Sequence, residues 1–121
     1  MWWGHHLLLN AGQCVPATIR SKPIIQAFSR ALVKKIDMVP YGQPKVVMFG
    51  SGNKKGYTLV QLIETSNITA HFVEETDDMY LDVFSCKKFD DKTVEEIVDF
   101  YFGPTYVDTK FVSRDASTRM Q

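Results

Sequence analysis

Apolar residues recur along this chain in two rhythms. After Ser21-Lys22-Pro23, the residues Ile25, Phe28, Leu32 and Ile36 keep helical spacing and predict a helix with one buried face. A proline suits the first turn of such a helix, and Pro40 with Tyr41-Gly42 is expected to close it. A second helix is expected from Asp90-Asp91, where carboxylates serve both the cap and the helix dipole. Val94, Ile97, Val98 and Tyr101 give it an apolar stripe, and Gly103-Pro104 stops it. Elsewhere the period is two. Over residues 67–73, Asn67, Thr69 and His71 share one face while Ile68, Ala70 and Phe72 share the other. Residues 79–86 repeat the alternation and place Tyr80, Asp82, Phe84 and Cys86 together. Residues 5–10, 45–49, 57–64 and 105–112 read as further strands. Glycine-rich residues 50–56 form a loop or hairpin, residues 74–78 an acidic turn, and the tail from Ser113 is polar. The expected order is β-α-β-β-β-β-α-β. It predicts an α+β fold: a two-layer sandwich with a largely antiparallel sheet and two helices on one face. The other face of the sheet is left for water or a partner.

Length and charge narrow the picture. At 121 residues and 13.8 kDa the chain suits one domain spanning 1–121. Fourteen basic residues balance fourteen acidic ones, so there is no basic excess to favour nucleic acid or an anionic membrane. The pairs Lys34-Lys35, Lys54-Lys55 and Lys87-Lys88 lie far apart and read as solvated surface. Cys14 and Cys86 are too few for a disulfide scaffold, which points to a reducing, cytoplasmic setting. The apolar opening is too short, and lacks the positive start, of a signal peptide. No run approaches a membrane span.

Familiar catalytic motifs are missing: there is no phosphate-binding glycine loop, no HExxH and no paired CxxC. His5 and His6 are consecutive and on a strand face opposite ways, and neither has a recognised metal-ligand spacing to Cys14, so no metal is expected. Ser66, His71 and Cys86 remain. Taken singly, they read as a turn residue, a half-buried sheet histidine and a small inert hydrophobe.

Their arrangement says more. The run Thr65-Ser66-Asn67-Ile68-Thr69-Ala70-His71-Phe72-Val73-Glu74-Glu75, followed by Leu81-Asp82-Val83-Phe84-Ser85-Cys86, resembles the core of the prokaryotic-type S-adenosylmethionine decarboxylase family. Serine and cysteine keep the family's spacing without insertion, and Gly4-His5-His6-Leu7-Leu8-Leu9-Asn10 is similar to its opening. The resemblance implies a proenzyme that cuts itself between Thr65 and Ser66. The Ser66 hydroxyl would attack the Thr65 carbonyl, the resulting ester would be eliminated, and a pyruvoyl group would remain as covalent cofactor. That carbonyl forms a Schiff base with the substrate amine and draws off the electrons left by departing carbon dioxide. By the same resemblance, His71 moves a proton during processing and Thr58 stabilises the processing intermediate. Cys86 returns a proton to the product carbon, since a thiol is ordinarily protonated at neutral pH. Glu75 holds the substrate ribose, a carboxylate being a two-pronged acceptor for neighbouring hydroxyls. The product would feed spermidine and polyamine biosynthesis, and processed protomers would pair as a homodimer.

The chain also departs from the family pattern. Thr65 stands where the family has glutamate, Asn67 follows the serine in place of histidine, and Phe72-Val73-Glu74 replaces Thr-Trp-Pro. The loop before the third strand, Gly52-Asn53-Lys54-Lys55-Gly56, lacks the aromatic that stacks on adenine in the family; Phe49 lies nearby but three positions out of register. Two alternatives stay open at this level. One is a pyruvoyl-dependent decarboxylase of ornithine or arginine; the other is an uncut homologue acting as a binding or regulatory subunit.

Overall fold

The computed structural model of the protein describes residues 3–118. Six strands form one sheet: β1 (Gly4–Gly12), β2 (Pro40–Phe49), β3 (Gly56–Ile63), β4 (Ser66–Val73), β5 (Asp78–Ser85) and β6 (Tyr106–Arg114). Their order is β2-β3-β4-β5-β1-β6, and every neighbouring pair is antiparallel. Three helices accompany them: α1 (Pro16–Ile19), α2 (Lys22–Lys35) and α3 (Asp91–Phe102).

Local chemistry fixes the two long helices. The Ser21 hydroxyl accepts the Ile24 amide at the start of α2, and an Asp90 carboxylate oxygen accepts the Lys92 amide at the start of α3. Gly103 ends α3 in the left-handed conformation, where glycine carries no Cβ penalty. Buried Ile25, Phe28, Leu32 and Val33 line α2, and Val94, Val98 and Phe102 line α3. Three rings knit the layers together. Phe102 of α3 meets Phe28 of α2 edge-on at 4.9 Å and Phe72 of β4 at 5.3 Å. The sheet contributes Leu7, Leu9, Leu59, Ile68, Ala70, Leu81 and Val83 to the same core.

The two-layer α+β sandwich expected from the sequence is therefore present, with three helices rather than two. The helix α1 is one turn between β1 and α2. Helix α2 ends at Lys35, before Pro40, because Asp37 turns the chain with a φ of 60°. Strand β2 begins at Pro40 rather than Lys45, with its pairing to β3 shifted between Tyr41 and Lys45. A proline at the first residue of an edge strand costs no ladder hydrogen bond. The bulge is braced from beneath: buried Gln61 donates to the carbonyl oxygens of Gly42 and Leu62. Among the described residues no helix is long and apolar enough to cross a membrane.

The face of the sheet away from the core carries Thr58, Leu62, Asn67, Thr69, His71, Tyr80, Asp82, Phe84, His6 and Leu8 in register. It is the mixed face predicted from the alternation, and Leu8, Leu62 and Tyr80 on it are exposed.

Candidate active site

Ser66 opens β4 directly after the two-residue turn that ends the β3–β4 hairpin. Its φ of 157° is positive, a conformation L-residues rarely hold, so the backbone is strained at the expected cleavage position. Across the strands Ser66 pairs with Ser85, the last residue of β5. The Cys86 amide then donates to the Thr65 carbonyl oxygen at 2.9 Å. Thr65, Ser66 and Cys86 thus lie together at one end of the strands. Cys86 is exposed and Ser66 half-buried.

Beneath this turn runs a chain of hydroxyls. The Lys87 amide donates to the Ser85 hydroxyl at 2.9 Å, which donates to the Thr65 hydroxyl at 2.7 Å. The Thr65 hydroxyl reaches the Met38 sulfur at 3.3 Å. Ser85 is fully buried.

Thr58 and His71 also meet, but elsewhere. They face each other across β3 and β4, and the Thr58 hydroxyl shares a 3.1 Å hydrogen bond with the His71 Nδ1. His71 lies five residues along β4 from Ser66, which at strand rise is roughly 16 Å. Glu75 is farther still, exposed in the turn between β4 and β5. One copy of the chain therefore gathers the expected residues into two groups: Thr65, Ser66 and Cys86 at one end of the strands, and Thr58 and His71 towards the other. The loop lysines lie with the second group, Lys55 3.9 Å from the Glu74 carboxylate.

Sequence reasoning missed a cavity where Phe84 of β5 meets Trp3 and the end of β6. It measures about 430 Å³ and is lined by Trp3, Phe84, Arg114 and residues 115–118. Phe84 precedes Cys86 by two residues on the open face, with the Trp3 ring at 5.6 Å and the Arg114 guanidinium 5.0 Å above its own ring. Gly4 makes room for this stack, since a Cβ there would fall 2.6 Å from the Phe84 ring. The signal in the sequence is the apolar opening around Trp3.

His5 and His6 diverge as strand geometry requires. His5 reaches the Asp91 carboxylate at 2.9 Å on the helix side, and His6 reaches Asp82 at 3.3 Å on the open side. Among the described residues no three His, Cys, Asp or Glu side chains gather as a metal ion would need.

The two thiols differ. Cys14 is buried against the β1 end, and burial, followed by the charges of Asp78 and Asp77, pushes its pKa up to about 11. At pH 8 the folded protein should therefore take up iodoacetamide at exposed Cys86 and leave Cys14 unmodified, as peptide mass mapping would show. Labelling of both at equal rates would contradict the buried placement of Cys14.

Comparison with known proteins bears on this geometry. The model of the S-adenosylmethionine decarboxylase family matches residues 5–115. This chain belongs to that family. Its architecture is similar to the crystal structure of the adenosylmethionine decarboxylase from Aquifex aeolicus VF5. The two share 19% sequence identity at a TM-score of 0.79, over 99% of this chain and 97% of that one. No curated protein sequence matches the chain.

Proposed function

We propose that the protein is a self-processing decarboxylase of S-adenosylmethionine, cut between Thr65 and Ser66, whose product supplies aminopropyl groups for polyamine synthesis. The observation that carries this reading is the 2.9 Å hydrogen bond from the Cys86 amide to the Thr65 carbonyl oxygen. Attack by the Ser66 hydroxyl on that carbonyl places negative charge on its oxygen, and a donor already aimed there lowers the barrier. The strained Ser66 backbone gains when the amide opens. A pyruvoyl group at position 66 would supply the electron-withdrawing carbonyl that decarboxylation needs. Exposed Cys86 would deliver the proton to the product carbon beside it.

The aromatic missing from the 52–56 loop is replaced, in this reading, by Trp3 and Phe84. Phe84 stands two residues before Cys86, and aromatic faces suit both a purine and a sulfonium cation. Thr58 and His71 would act on a second copy of the chain, reaching the partner's cleavage turn where one copy leaves them roughly 16 Å short. A homodimer through the open face would also cover exposed Leu8, Leu62 and Tyr80. Glu75 would then hold the ribose across the same interface.

The test is carbon dioxide release from carboxyl-labelled S-adenosylmethionine, ornithine, arginine and lysine, run in parallel on the purified protein. Release from S-adenosylmethionine alone is expected. Release from an amino acid alone would overturn the substrate and keep the chemistry; release from none, with the chain uncut, would favour a binding subunit.

A further inference from the structure

The hydroxyl chain under the cleavage turn joins side chains to which the processing chemistry gives no part. The Lys87 amide donates to Ser85, Ser85 donates to Thr65 at 2.7 Å, and the Thr65 and Ser85 hydroxyls both reach the Met38 sulfur, at 3.3 and 3.6 Å. Each hydroxyl in it both donates and accepts, so both side chains are held in a single rotamer. Ser85 is fully buried, and no buried side-chain polar atom among the described residues lacks a partner. The same Thr65 whose side chain is held this way presents its carbonyl to the Cys86 amide.

We propose that Thr65 and Ser85 form a clamp that fixes the Thr65 carbonyl against the Cys86 amide, and so sets the rate of the acyl shift. This inference rests on the reading of Ser66 given above. In that step the Ser66 oxygen bonds to the Thr65 carbonyl carbon, the bond from that carbon to the Ser66 nitrogen breaks, and the hydroxyl proton passes to the nitrogen. An ester and a free amine result. The clamp touches none of the reacting atoms except through the Thr65 backbone, so both side chains are positioning residues. It has a second effect. The Thr65 hydroxyl is tied to Ser85 and Met38, which turns it away from the carbonyl it neighbours. The position where the family carries glutamate is thereby served by a neutral side chain with its own buried partner, in place of a carboxylate.

The experiment follows cutting of the full chain by intact mass after rapid purification. Thr65→Val keeps the shape and removes the hydroxyl; Ser85→Ala removes the donor. Each should slow cutting roughly tenfold, the loss expected for one well-placed hydrogen bond. The double variant should be no slower than either single, because the clamp is one interaction. Thr65→Ser should restore nearly the full rate. Hydroxylamine, which cleaves esters and spares amides, separates the steps: the clamp variants should show little hydroxylamine-sensitive chain, whereas His71→Ala should accumulate it. A merely structural role would lower thermal stability without moving that partition. If Ser85→Ala fails to fold, Thr65→Val with its Thr65→Ser rescue decides alone. Wild-type cutting rates in folded Thr65→Val overturn the clamp while leaving the Ser66 chemistry standing. An intact wild-type chain overturns both.

Discussion

Ser66→Ala should leave a single uncut chain of 121 residues and no decarboxylation. Alanine has no oxygen with which to open the Thr65–Ser66 amide, and without the cut no carbonyl forms to hold the substrate amine. Fold and stability should change little, since Ser66 is a half-buried residue at the start of β4 with nothing large to remove. His71→Ala should also be inactive, for a different reason: its serine is intact but the residue that moves the proton is gone. The two defects lie in separate groups on each copy. Co-expressed, the variants should therefore form mixed dimers in which the serine of one chain meets the histidine of the other. Intact mass should then show cut His71→Ala chains beside uncut Ser66→Ala chains, with partial return of activity. Absence of any cutting in the mixture, with mixed dimers present, would mean the two groups do not complete one another.

The second large effect concerns Gly56, the first residue of β3. A Cβ there would sit 1.6 Å from the carbonyl oxygen of Phe72, which is backbone and cannot swing aside. Gly56→Ala must push β3 away from β4 at the end where Thr58 and His71 meet. We expect a loss of about 3 kcal/mol, at the upper end for overpacking. This corresponds to roughly 10 °C in melting temperature for a domain of this size. The Thr58–His71 hydrogen bond should break with it, so the surviving folded protein should cut slowly as well. An unchanged melting temperature would mean that the strands are not this close.

Much of the fold was legible because long periodic segments leave little choice. The α2 and α3 stripes and the alternations of β4 and β5 were read correctly to within a residue or two. What was missed was short or punctuated. Four residues, Pro16-Ala17-Thr18-Ile19, cannot display a helical period, so α1 left no pattern to read. Pro40 with Tyr41-Gly42 reads as a break, yet an edge strand with a bulge tolerates them. The site divided in the same way. The identities of Ser66, His71 and Cys86 were visible only through their family spacing. The gap between Ser66 and His71 was already implicit in strand rise. The Ser85–Thr65 contact had no such signal: the residues are twenty positions apart, and nothing marks either as a partner until the hairpins are paired.

The strand order has a consequence for the molecule after cutting. The piece 1–65 would hold β1, β2 and β3, and the piece 66–121 would hold β4, β5 and β6. In the order β2-β3-β4-β5-β1-β6, β1 of the first piece lies between β5 and β6 of the second. Of the sheet's five seams, three (β3/β4, β5/β1 and β1/β6) would join separate polypeptides, and so would the Phe28–Phe102 contact. The pieces are interleaved, so neither can leave without dismantling the sheet. Unfolding then separates the two pieces of each copy as well as the copies themselves, so the midpoint rises more steeply with protein concentration than that of the precursor. Refolding becomes a second-order encounter, deprived of the short turn that held β3 beside β4. The mature molecule would owe its shape to a covalent connection it no longer possesses.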